Sequence, residues 1–202
     1  MTAPTADSRI ARSSHLVLLL FLLPAFLLMA GCGNESRDPA NAPRSTEELR
    51  PSADQPITPL EDPFEIPPDL TVTTTDGETI NLGAREGGVQ ILNFWATWCA
   101  PCLQEIPDLN RLHAEYDTSE VQIIGIANRQ GPSEVLPFAE RHDISYPVVA
   151  DSAGALDEQL GPIYVLPTTL IVQADGRVTH QVTGIFPAET FSENIAAYRS
   201  SP

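Results

Sequence analysis

The sequence contains no lysine: all 11 basic residues are Arg, set against 27 Asp and Glu, and the net charge is −16. Such a chain repels phosphate backbones, so a nucleic-acid partner is disfavoured. An acidic surface suits a salty environment or a basic partner instead. Cysteine is scarce, with three residues. A zinc site built on two of them would need further ligands. Cys32 is far from the other two, and His113, His142 and His180 show no metal spacing. No metal and no cofactor are expected. The apolar run at residues 16–30 is broken by Pro24 and falls short of the roughly 20 residues a membrane span requires. Internal repeats are absent. What is present in ordinary amount is core material, with hydrophobic residues at 42%.

Arg9, Arg12 and His15 precede that apolar run, and the small residues Ala30 and Gly31 follow it. A basic start, a short apolar stretch and small residues after it describe a secretory leader. Met29-Ala30-Gly31-Cys32 resembles a bacterial lipobox, departing from it at Met29, where Leu is usual. The resemblance implies a lipoprotein signal peptide at 1–31 and lipidation of Cys32, which becomes the first mature residue. The bulk of the chain then lies across the membrane from the cytoplasm. Residues 32–60 read as a flexible tether, rich in Pro, Ser and Ala and poor in large apolar residues. A globular domain is expected over 61–202.

Within that domain, 70–75 and 79–82 read as strands joined at Asp76-Gly77, a hairpin signal. Residues 89–96 form an apolar run without alternation, as in a strand buried on both faces. Leu103, Ile106, Leu109, Leu112 and Tyr116 follow at helical spacing. A second buried strand is expected at 121–127, a helix at 133–142, a short strand at 147–150 and a helical turn at 155–160. A hairpin of 168–172 and 177–183, turning at Asp175-Gly176, precedes a last helix at 188–198. Strands alternating with helices, then a late hairpin, imply an α/β fold with a mixed central sheet.

Chemistry is concentrated at Trp98-Cys99-Ala100-Pro101-Cys102. A C-x-x-C that leaves a buried strand and opens a helix meets the unpaired N–H groups and partial positive charge of the helix N-terminus. A thiolate is stabilised there. Cys99 should lie at the helix start with its sulfur exposed, and Cys102 one turn further in. Cys99 can then attack a disulfide and Cys102 resolve the mixed disulfide. Pro101 stiffens the turn. Half a zinc site or a structural disulfide is the alternative for such a pair, and the missing ligands and the strand-to-helix context weigh against both.

The stretch Ile91-Leu92-Asn93-Phe94-Trp95-Ala96-Thr97-Trp98-Cys99-Ala100-Pro101-Cys102-Leu103-Gln104-Glu105-Ile106-Pro107 resembles the TlpA/ResA-like thioredoxins. Val165-Leu166-Pro167-Thr168-Thr169-Leu170 is the second landmark. The resemblance covers about 69–198 and implies a thioredoxin fold with helices on both faces of the sheet and an N-terminal β-hairpin. It also implies extracytoplasmic disulfide reduction, often by a membrane-tethered protein. Cys99 would be the nucleophile and Cys102 the resolving thiol of an active-site disulfide. Glu105 matches an acidic residue placed behind the thiols. Pro167 matches a cis-proline facing them, so that Trp98, Leu166 and Pro167 would line the substrate groove. Asn93 stands where cytosolic thioredoxins carry a buried Asp. Disulfide-bonded exported proteins, apocytochrome c among them, would be substrates, and a transmembrane thiol carrier the electron donor.

Two other functions fit the residues less well than disulfide reduction. A peroxiredoxin-like thiol peroxidase carries Pro-x-x-x-Thr-x-x-Cys. Here Leu92 stands at the Pro position, and Thr97 lies two residues before Cys99 instead of three. A redox-sensing, partner-binding lipoprotein has no need of both thiols.

Overall fold

The computed structural model describes residues 57–200 apart from 84 and 86. The leader at 1–31, Cys32 and most of the stretch expected as a tether lie outside the described residues. No described helix is long and apolar enough to cross a membrane.

Among the described residues, the strands β1 (Pro59–Glu65), β8 (Arg177–Thr183), β7 (Thr168–Val172), β4 (Val89–Trp95), β5 (Val121–Asn128) and β6 (Val148–Asp151) form one sheet, side by side in that order. β4 (Val89–Trp95) is central and buried at every position. It pairs in parallel with β5 (Val121–Asn128) and antiparallel with β7 (Thr168–Val172). β6 (Val148–Asp151) extends the parallel side. β8 (Arg177–Thr183) and β1 (Pro59–Glu65) extend the antiparallel side. The mixed pairing follows from the connections. α1 (Ala100–Glu115) and α2 (Pro132–Arg141) are crossovers between parallel strands, while Asp175-Gly176 is too short to join any but antiparallel ones. α3 (Ala155–Gln159) follows β6, and α4 (Ala188–Ser200) closes the chain.

Alternate residues of β4 face two different cores. Ile91 joins Ile123 and Ile171 under Leu109 and Leu112 of α1 and Phe191 of α4. Leu92 and Phe94 join Leu156 of α3, together with Val72 and Ile80. The last two belong to a separate two-stranded sheet, β2 (Thr71–Thr73) and β3 (Thr79–Asn81). This is the expected N-terminal hairpin. Gly77 takes φ +92° at its turn, which a side chain would disfavour, and Thr74 Oγ1 donates to Asp76. Helices therefore cover one face of the sheet, and the hairpin and α3 the other.

One strand has no signal in the sequence. β1 carries Pro59, Pro63 and three acidic residues, and its exposure does not alternate. Its extended form comes from pairing with β8, Phe64 opposite Val178 and Glu65 opposite Arg177. Proline is tolerated because β1 is an edge strand. Ile57, just before it, is buried in the core, so the folded part reaches into the last residues of the stretch read as a tether.

Candidate active site at the start of α1

β4 ends at Trp95, and the chain turns through Ala96, Thr97 and Trp98 into α1. Cys99 is the N-cap of that helix, with φ −87° and ψ 101°. Its N–H donates to Ala96 O at 3.0 Å. Its Sγ accepts from the Cys102 N–H at 3.3 Å, taking the place of a serine or aspartate cap. Pro101 sits in the first turn, where a missing N–H leaves nothing unpaired. Cys99 and Cys102 are joined by a disulfide, S–S 2.05 Å.

The depth of Cys99 differs from the sequence expectation of an exposed sulfur. Cys99 is 4% exposed and Cys102 1%. The two pack in one cluster with Trp95, Ile106 and Val135, and Leu166 lies against it. The order of accessibility is as expected, but both are shielded in the oxidised form. Trp98, by contrast, is 74% exposed.

The Leu166–Pro167 bond is cis. Its place follows from register: Thr168 pairs with Phe94, which sets Pro167 level with Trp95 at the mouth of the active-site turn. Beside it runs a groove of about 470 Å³ lined by Trp98, Leu166, Asn128, Arg129, Ile163, Tyr164 and Val165. Tyr164 and Val165 are exposed; Val165 opens the second landmark of the sequence, whereas Tyr164 shows no role there. The only signal for Tyr164 is its position, immediately before that landmark.

Glu105 lies one turn beyond Cys102 on the buried face of α1. Its Oε1 accepts from Asn93 Nδ2 at 2.8 Å, and its Oε2 from the Phe186 N–H at 2.9 Å. Asn93 also donates to Thr169 Oγ1 at 3.0 Å. Desolvation pushes the Glu105 pKa up to about 7, against the two hydrogen bonds that favour the carboxylate, with Asp108 adding a smaller push upward. Burial, and secondarily the Glu105 charge, raise the Tyr146 pKa. Asn93, at the position of an acid in cytosolic thioredoxins, thus serves as donor to a carboxylate that arrives from the helix.

A strand-to-helix C-x-x-C disulfide beside a cis-proline on a thioredoxin sheet defines a thiol–disulfide oxidoreductase. The AhpC/TSA family model matches residues 65–181. The thiol-disulfide oxidoreductase ResA of Bacillus thuringiensis subsp. konkukian is 33% identical over 128 residues, 63% of this chain and 73% of that protein. The crystal structure of StoA from Bacillus subtilis superposes with a TM-score of 0.54 at 26% identity, covering 68% of this chain and 98% of that one. That of a thiol:disulfide interchange protein of the thioredoxin family from Chlorobium tepidum gives 0.55 at 25%, covering 73% and 99%. The chain belongs to the AhpC/TSA family and stands among its ResA-like thiol–disulfide oxidoreductases.

Proposed function

We propose that this protein is a lipid-anchored reductase of disulfides in exported proteins, acting outside the cytoplasm through Cys99 and Cys102. The observation that carries the direction is Glu105, a buried acid one turn beyond Cys102. Ala100 and Pro101 supply no cation to stabilise a thiolate, and an ionised Glu105 opposes one. A pair whose thiolate is poorly stabilised is a reductant. The helix N-terminus favours the thiolate in oxidants and reductants alike, so it does not discriminate.

In the reaction, the Cys99 thiolate attacks a substrate S–S bond. A mixed disulfide forms and one substrate thiolate leaves. Cys102 loses its proton and attacks Cys99 Sγ, releasing the second substrate thiolate and leaving the Cys99–Cys102 disulfide. Glu105, with a pKa near neutrality, is suited to take that proton. Two electrons have passed to the substrate, and a transmembrane thiol carrier returns them. Trp98 and Leu166 line the groove that receives the substrate, with Pro167 beside it. The family resemblance points to apocytochrome c, whose haem attachment needs reduced thiols. Equilibration with glutathione buffers tests the direction: the potential should lie well below the roughly −120 mV of the strong oxidants. A value near that mark would overturn the reading.

The anchor is a separate part of the proposal. It rests on Ala30-Gly31-Cys32 after the apolar run, with a tether giving the catalytic domain reach. Membrane extracts should yield a chain that begins at a diacylated Cys32 by intact mass, and Cys32→Ala should accumulate unprocessed. A mature chain cut elsewhere and carrying no lipid would exclude the anchor while leaving the redox reading intact.

A further inference from the structure

Thr97 and Gln130, 33 residues apart, meet through two hydrogen bonds. The Thr97 N–H donates to Gln130 Oε1 at 2.7 Å, and Gln130 Nε2 donates to Thr97 Oγ1 at 2.7 Å. Gln130 is buried, and both ends of its amide are used on this one residue. The contact falls in the three-residue turn between β4 and Cys99, which leads from the sheet into the N-terminus of the active-site helix.

The chain makes a particular effort to bring Gln130 there. β5 ends at Asn128, and Arg129 takes φ +55°, a left-handed conformation uncommon for a side chain of its size. That residue breaks the strand and sends the chain into α2, whose N-cap is Gly131. The Arg129 guanidinium is gripped in turn by Asp157 of α3, with N–O distances of 3.1 to 3.3 Å. Gly154 takes φ +70°, a backbone conformation that favours glycine, and lies against that guanidinium, which a Cβ there would meet at 2.9 Å. Asp151 fixes the start of α3, accepting from the Ala155 and Leu156 N–H groups at 2.9 Å. Hydrogen bonds and packing therefore run from α3 through Arg129 and Gln130 to Thr97.

From this geometry we infer that Gln130 is a positioning residue for the attacking thiol. It holds the 96–98 turn so that Cys99 Sγ stays at the N-cap of α1 when the disulfide is open. The inference rests on the reading of Cys99 as the attacking thiol. In the oxidised protein the covalent bond to Cys102 already holds Cys99. In the reduced protein only the turn and the first helical N–H groups do. A thiolate gains from those N–H groups only while it remains over them. Release of Thr97 lets the sulfur drift from the Cys102 N–H, and the thiolate loses its stabilisation.

The test reads the pH profile of Cys99 alkylation in a Cys102→Ser background of the full chain, which reports on Cys99 whichever thiol attacks substrates. Gln130→Met keeps the length of the side chain and removes both hydrogen bonds. The profile should move to higher pH, with alkylation at pH 7 slower by roughly threefold or more, the effect of a modest rise in thiol pKa. Thr97→Val removes one bond and should give a smaller displacement. Thr97→Ser keeps both and should behave as the parent. The double variant Gln130→Met with Thr97→Val should match Gln130→Met alone, since the two residues act through one contact. The charged groups on the elements around Cys99, Glu105 on α1, Arg129 after β5 and Glu134 in the first turn of α2, are unchanged throughout. A Gln130→Met protein with a lower melting temperature and an unmoved profile would show a structural role only and overturn the inference. Should Gln130→Met fail to fold, Thr97→Val decides alone: an unmoved profile overturns the proposal, and a displaced one with a parental Thr97→Ser supports it.

Discussion

Cys99→Ser should bring insulin-disulfide reduction down to the uncatalysed rate, a loss of about three orders of magnitude or more, the scale on which removal of a nucleophile acts. Cys102→Ser should lose turnover as well, but by a different route. Its Cys99 still attacks, no second thiol resolves the adduct, and a mixed disulfide accumulates that reducing agent releases. The asymmetry follows from the structure. Cys99 occupies the N-cap, receives the Cys102 N–H and follows Trp98, which lines the groove, whereas Cys102 is the deeper of the pair. Mass spectrometry of trapped complexes reads the difference directly. If the protein retaining only Cys102 captured the substrate, the two roles would be exchanged. Peroxide consumption measured on the same samples separates disulfide reduction from thiol peroxidase activity. Peroxide turnover outpacing insulin reduction would favour the latter.

Glu105→Gln should change both the pH dependence of stability and the reactivity of the thiols. Burial holds the Glu105 proton to about pH 7, whereas the unfolded chain releases it near 4.5, the ordinary value for a glutamate. Between these pH values the native state binds the extra proton, so wild-type stability falls as the pH rises through that window. The shift corresponds to an effect on the order of 3 kcal/mol, fully present as a cost above pH 7 and absent below pH 4. Gln cannot ionise and loses this slope. It also disturbs the hydrogen bond from Asn93, since an amide cannot accept at both ends, and that cost is much the same at every pH. Denaturant unfolding of both proteins at pH 5 and pH 8 isolates the ionisation. The stability difference should move toward the variant by about that amount between the two. Parallel profiles would show that Glu105 does not titrate in this range. In the reduced protein, loss of the Glu105 charge should also lower the thiol pKa and make the pair less reducing. Thiol pKa values untouched by Glu105→Gln would retire Glu105 as the source of the reducing direction.

Much of the architecture could be read in advance because its signals are local. The 89–96 run lacks alternation because β4 lies in the middle of the sheet with a core on each side. The leucine and isoleucine spacing of α1 records the face it turns to Ile91 and Ile123. Asp76-Gly77 and Asp175-Gly176 state their turns in two residues. The signals failed where structure depends on a distant partner. β1 has neither strand composition nor alternating burial, and β8 alone gives it extended form. The burial of Glu105 was equally hidden. The helical period places it with Cys102 and Leu109, yet an acid on an apolar face can also lie at its margin. The Phe186 N–H that satisfies it stands 81 residues away.

By itself, the sequence determined the chemistry: two thiols three residues apart, leaving a buried strand and opening a helix, with a proline landmark later in the chain. Short-range sterics and the helix N-terminus dictate that much, because they act over a few residues. Tertiary structure decided how the chemistry is housed. It sank Cys99 beneath Leu166 and its neighbours, closed Glu105 between Asn93 and Phe186, and brought Gln130 to Thr97. Each of these is a contact between segments far apart in the chain. Their burial and hydrogen bonding exist only once β4, β5 and β7 lie side by side, because desolvation is a property of the assembled core and not of any segment within it.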